Sequence, residues 1–197
     1  MASVVGIAKH HRGLADVIVV DDGSHDTTAE TARNAGAHVI RLARNGGKAE
    51  AMEAGVAAAG NATHFLFLDA DLIGFTAAHI DALLARTSRR TTMTIGLRDR
   101  GGFLTALNHA LLPWISGDRL VSRALWQAVP KEFKHGFQIE LALNATARRR
   151  GDRIATVKLS GLSIVRKEQK IGLVRGLWKR GLMIAELIAV TIRLMLR

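Results

Sequence analysis

Two stretches, Val17-Ile18-Val19-Val20-Asp21-Asp22-Gly23-Ser24 and Phe65-Leu66-Phe67-Leu68-Asp69-Ala70-Asp71, decide how this chain folds. Each is a short apolar run that ends abruptly in carboxylates. Such runs are typical of buried parallel strands, which are covered on both faces and deliver their last side chains to the carboxyl edge of an α/β sheet. That edge is where ligands bind in open α/β folds. Parallel neighbours put their carboxyl ends at the same edge, so Asp69 and Asp71 are expected at the end of a central parallel strand, close to the end of the strand at 17–20. One acidic strand end is ordinary turn chemistry. Two of this composition favour a site that recognises a nucleotide and holds a hard divalent cation, because such cations prefer oxygen ligands and leave room for phosphates.

Working outward, Thr27 and Glu30 have capping-box spacing and open a helix that Gly36 can end. His38 to Leu42 fits a short strand, and an Ala-rich helix runs from about Lys48 to Ala59. Thr76 to Arg86 reads as a helix and 92–96 as a further strand. This alternation predicts an α/β fold with a mostly parallel sheet and helices on both faces. Beyond Gly102 the pattern is helical, with helices expected at 103–112, 120–128 and 137–149. A strand at 153–159 follows, then a long helix over 173–197.

Composition bounds the function. The 197 residues suit one domain with a substantial core. There are no cysteines, so disulfides and thiolate metal sites are excluded. The net charge of +11 is uneven: residues 1–72 carry six Lys or Arg against nine Asp or Glu, and 73–197 carry 22 against eight. A basic surface suits anionic lipid or a phosphorylated substrate. Nucleic acid is not an expected partner, since there are no tyrosines and few aromatics to interleave with the basic residues. No cleavable leader is visible before His10, His11 and Arg12, which predicts a cytoplasmic location.

The motifs in order, Asp-Asp-Gly-Ser-x-Asp at 21–26, Asn45-Gly46-Gly47-Lys48 and Asp69-Ala70-Asp71, resemble the family two glycosyltransferases of the GT-A fold. Within that family the chain looks most like polyprenyl-phosphate sugar synthases and glucosyl-3-phosphoglycerate synthases. The resemblance implies a GT-A domain over 1–172, with the nucleotide and metal site within 17–72 and the acceptor region at about 97–160. It implies a sugar donor linked to UDP or GDP, magnesium or manganese, and a phosphorylated acceptor, polyprenyl phosphate among the options.

Residue by residue, the resemblance places Asp21 or Asp22 at the donor's base, with Gly23 and Ser24 turning the backbone beside it. Lys48 reaches the base or ribose, and Asp69 lies against the donor. Asp69 and Asp71 hold the metal. Ser116-Gly117-Asp118-Arg119 resembles a Ser-Gly-x-Arg turn before a helix, with Arg119 meeting phosphate or acceptor. Glu140 is the candidate base for an acceptor hydroxyl, and Asp118 the weaker one. Relatives often complete the metal site with a histidine near the loop that here reads 161–167. No histidine follows His135, so water, phosphate oxygens or His135 are left as third ligand.

The start of the chain departs from the family pattern. Ser3 to Ala8 lies too close to Val17 to be the family's first strand, because a parallel crossover takes about ten to twelve residues. The segment reads instead as the first helix, which implies an N-terminally truncated fold lacking its first strand. At the other end, a basic lead with Trp178 precedes an apolar run from Leu182 to Ile192. Glu186 interrupts that run, well short of the roughly 20 residues that span a bilayer. Residues 173–197 therefore read as an amphipathic helix on an anionic membrane surface, peripheral at its inner face, or packed on the sheet or on a second copy in a homo-oligomer. The rival function is a catalytically inactive remnant of the fold that serves as a membrane or partner adaptor.

Overall fold

The computed structural model describes residues 1–88, 90–98, 116–134 and 139–164. The segment Ser3 to Ala8 is helical, as expected, within α1 (Ala2–Lys9). The order continues β1 (Ile18–Asp21), α2 (Thr28–Asn34), β2 (His38–Arg41), α3 (Lys48–Ala58), β3 (His64–Phe67), β4 (Leu72–Ile73) and α4 (Ala77–Leu84). After it come β5 (Thr91–Arg98), β6 (Arg119–Ser122), α5 (Arg123–Ala128), α6 (Ile139–Arg149), β7 (Arg153–Leu159) and β8 (Ser163–Ile164). The expected helices at 103–112 and 173–197, and His135, lie outside the described residues.

The α/β expectation holds, with helices on both faces. β3 shows why: its side chains alternate, so Phe65 and Phe67 pack into one core and Leu66 and Leu68 into the other. The first core joins α3, β5, β6, α5 and α6 around fully buried Trp126, Leu125, Ile95 and Val121. The second joins α1, α4 and β7 through Val4, Ala8, Ile80, Leu83 and Leu159. Each large apolar side chain buried in this way contributes about 1.5–3 kcal/mol.

Three expectations are corrected. The segment 120–128 is not one helix: Arg119 to Ser122 form β6, and the Ser122 side chain then accepts from Leu125 N at 3.2 Å to start α5. Pairing with β3 on one side and β5 on the other outweighs the local helical pattern. The Thr27–Glu30 capping box does not form. Instead Asp26 Oδ1 accepts from Thr28 N at 3.0 Å, while Gly36 does end α2, with Ala37 N donating to Ala32 O at 3.1 Å. Finally, β3 is neither central nor parallel to its partner: it is the edge of a β3-β6-β5-β7 sheet, antiparallel to β6, while β5 and β7 run parallel.

β1 pairs in parallel with β2 alone, in a separate two-stranded sheet. β1 and β3 thus each keep one edge without a ladder partner among the described residues, and Ile18, Val19 and Val20 are only half-buried. Four paired residues with one open edge make a weakly held unit. Hydrogen exchange is expected to be at least about tenfold faster for the β1 and β2 amides than for β5 and β7. Equal protection across both sheets would refute this local opening.

Candidate active site

The acidic strand ends converge through the loop before α3. Asp22 closes it: Oδ1 accepts from Gly46 N at 2.7 Å and Oδ2 from Gly47 N at 2.9 Å. That clamp sets the first residue of α3, Lys48, whose Nζ lies 2.7 Å from Glu140 Oε1 and 3.6 Å from Asp69 Oδ1. The carboxyl ends of β1 and β3 are therefore linked through the loop before α3, whose backbone is held by Asp22 and whose Lys48 reaches Asp69. Gly23 makes the turn possible. Its φ is +74°, and a Cβ there would sit 3.0 Å from the backbone of Arg44 and Asn45.

Asp21 faces inward, with half-buried Ser24 beside it. Asp21 is 1% exposed, its Oδ1 accepts from Ser24 N at 2.9 Å, and Arg41 Nε lies 3.4 Å from Oδ2. The hydrogen bonds from Ser24 hold this carboxyl below the usual carboxylate range, with Arg41 adding to the effect against the opposing influence of burial. A depressed folded-state value means stabilisation that is present above the unfolded value, near pH 4, and lost as pH falls through the folded one. Asp21→Asn is therefore expected to flatten the acid limb of the stability curve. Urea midpoints between pH 2 and 6 that fall as steeply in the variant as in the parent would refute it.

Asp69 sits in a network of alternating charge. Its Oδ2 accepts from Arg98 Nη2 at 2.5 Å, and Arg98 Nε donates to buried Asp118. Asp118 also accepts from Asp69 N at 3.3 Å. Burial pushes the Asp69 carboxyl up, but Lys48 and the Arg98 hydrogen bond outweigh it and hold the group below the carboxylate range. Burial likewise opposes the charge of Lys48, where Glu140 and Asp69 prevail and raise its pKa. Gly117 leaves the space these groups need, since a Cβ would lie 2.6 Å from Asp69 Oδ1 and 2.8 Å from Lys48 Nζ.

Arg119 departs from its expected place. It belongs to β6, not to a turn, and its guanidinium is wholly buried. Nε and Nη2 donate to Ser116 O at 2.9 and 2.6 Å, and Nη1 to Glu140 O at 3.3 Å and Asn144 Oδ1 at 3.4 Å. Burial lowers its pKa to about 10, so it stays charged at neutral pH. The structure makes it a support beneath the site rather than a group at its surface. Glu140 is 2% exposed; Oε1 meets Lys48 while Oε2 has no hydrogen-bond partner among the described residues.

Arg98 was not legible as a site residue. The available signal was its position: a basic residue at the carboxyl end of β5, a strand that runs parallel in direction to β3 and ends on the same side as its acids.

The donor set fits magnesium or manganese. Asp69 and Asp71 supply hard carboxylate oxygens, and Asp71 has no hydrogen bond or ion pair with another described residue. Among the described residues no group of three His, Asp or Glu is placed to hold a metal ion, so phosphate oxygens and water would complete the shell.

The chain as a whole is similar to known proteins. Glycosyltransferase AglJ of Haloferax volcanii is 34% identical over 115 residues, covering 57% of this chain and 35% of the relative. The chain thus spans about a third of that protein's length. Glucosyl-3-phosphoglycerate synthase from Mycobacterium tuberculosis, in complex with Mg2+ and uridine diphosphate, has a TM-score of 0.76 at 25% identity, over 98% of this chain and 73% of that one. The same enzyme with Mn2+, uridine diphosphate and glucosyl-3-phosphoglycerate has a TM-score of 0.77 at 26% identity, covering 98% and 74%. The model of Glycosyl transferase family 2 matches residues 3–141, and with the fold and the acidic edge in agreement, the chain belongs to that family.

Proposed function

We propose that this chain transfers a sugar from a nucleoside diphosphate donor to a hydroxyl of a phosphorylated acceptor. The observation that carries this is the meeting of Asp69, Lys48 and Glu140 at the strand edge, beside a loop clamped by Asp22. In this reading Asp21 and Asp22 shape the pocket for the base, and Lys48, 3.6 Å from Asp69 Oδ1, meets the diphosphate rather than the base or ribose. Asp69 and Asp71 would hold a divalent cation, which when bound acts as a Lewis acid on the leaving diphosphate. Glu140, whose buried Oε2 has no hydrogen-bond partner among the described residues, accepts the acceptor hydroxyl's proton. The bond from the anomeric carbon to the diphosphate breaks as the bond to the acceptor oxygen forms. The electron pair leaves with the nucleoside diphosphate.

A hydroxyl acceptor is favoured over a lipid phosphate because the latter is already an anion and needs no base. Phosphoglyceric acid, present with the mycobacterial synthase, has the required hydroxyl and phosphate. Contact with an anionic membrane rests on the sequence of 166–197 alone, and no helix among the described residues is long and apolar enough to cross a membrane. Calorimetry with UDP and GDP in the presence of Mn2+ tests the function. One nucleotide should bind with a metal-dependent affinity. Absence of binding by both would overturn the reading.

A further inference from the structure

We propose that Arg98 is a positioning residue that couples cation binding at Asp69 to the arrival of the nucleoside diphosphate, an inference that rests on the function just argued. Both oxygens of Asp69 face a cationic side chain: Oδ2 accepts from Arg98 Nη2 at 2.5 Å, and Oδ1 lies 3.6 Å from Lys48 Nζ. Lys48 has a second, closer partner in Glu140 at 2.7 Å. The Arg98 guanidinium is held in place from behind, because Nε donates to Asp118, which is fully buried. Nε therefore stays on Asp118, while Nη2 holds Asp69 until a stronger acceptor reaches it.

A divalent cation arriving alone meets a carboxylate already shared between two positive groups, and it must both compete for the oxygens and approach like charge. A nucleoside diphosphate changes that balance. Its oxygens carry several negative charges and offer Arg98 and Lys48 new acceptors in place of Asp69, which frees the carboxylate for the cation. Cation and nucleotide thus assist each other, and the assistance is reciprocal because it is one coupling free energy. Arg98 makes the metal-nucleotide complex, rather than the free metal, the species that the edge takes up.

The test is the affinity of the full chain for Mn2+, followed by the electron paramagnetic resonance signal of free Mn2+, without nucleotide and with saturating UDP or GDP. The unaltered chain should bind Mn2+ at least about tenfold more tightly with the nucleotide that fits. Arg98→Met should bind Mn2+ alone more tightly and reduce the coupling to about threefold or less, and Arg98→Lys should restore most of it. Arg98→Met strands the Asp118 carboxylate, so the pair Arg98→Met with Asp118→Asn repeats the measurement without the buried charge, after circular dichroism has checked the fold. If Mn2+ and nucleotide bind these variants with the parent's coupling, the role of Arg98 is overturned while the function stands. If neither nucleotide binds the unaltered chain with Mn2+, both fall.

Discussion

Asp71→Ala is expected to slow sugar transfer about 1,000-fold, a loss of roughly 4 kcal/mol of transition-state stabilisation, while leaving the fold intact. Asp71 sits in the loop after β3, half-buried and without a hydrogen-bond or ion-pair partner among the described residues, so its removal strands no described charge. Substitutions at such places change stability by about 0.5 kcal/mol or less, which shifts the melting temperature of a chain this size by about 2 °C at most. Asp69→Ala should differ. It also removes the acceptor of Arg98 and the neighbour of Lys48, so stability falls along with activity. Turnover and thermal melting of the two variants separate the roles, and Asp71→Ala at the parent's rate would take the metal away from that residue.

Arg119→Met is expected to have the opposite profile, a loss of about 3–5 kcal/mol in stability, because it breaks a buried charge network and leaves its partners unsatisfied. Ser116 O, Glu140 O and Asn144 Oδ1 all accept from this one guanidinium, and the positive charge also balances Glu140, Asp118 and Asp69. The melting temperature should fall by about 10 °C. Arg119→Lys should fall between, since an ammonium keeps the charge but cannot grip Ser116 O with two nitrogens. Urea midpoints measure the cost. An Arg119→Met chain as stable as the parent would mean that the buried guanidinium contributes no net stability.

The two acidic strand ends, the clamp loop and Lys48 were legible in the sequence because each is a local pattern: a β-branched or aromatic run, a sharp stop and a carboxylate within a few residues. The helical start at Ala2–Lys9 was legible for the same kind of reason, since too few residues separate it from Val17 for a parallel crossover. Periodicity likewise marked α4, β5 and β7, whose apolar faces repeat at the spacing their geometry requires.

Other features are properties of pairing and could not be read from any one segment. Arg119 to Ser122 become a strand because β3 and β5 supply the ladder on either side, and the short strands β4 and β8 exist only through each other. The same pairing turns the Arg119 side chain inward beneath Glu140. Arg98 reaches Asp69 and Asp118 across 29 and 20 residues of sequence, contacts that no local pattern announces. The sequence by itself determined which carboxylates end which strands, since that depends on neighbours along the chain. Only the tertiary structure decided which of the described cations stand beside which of them, because ion pairing depends on where separate strands end in space.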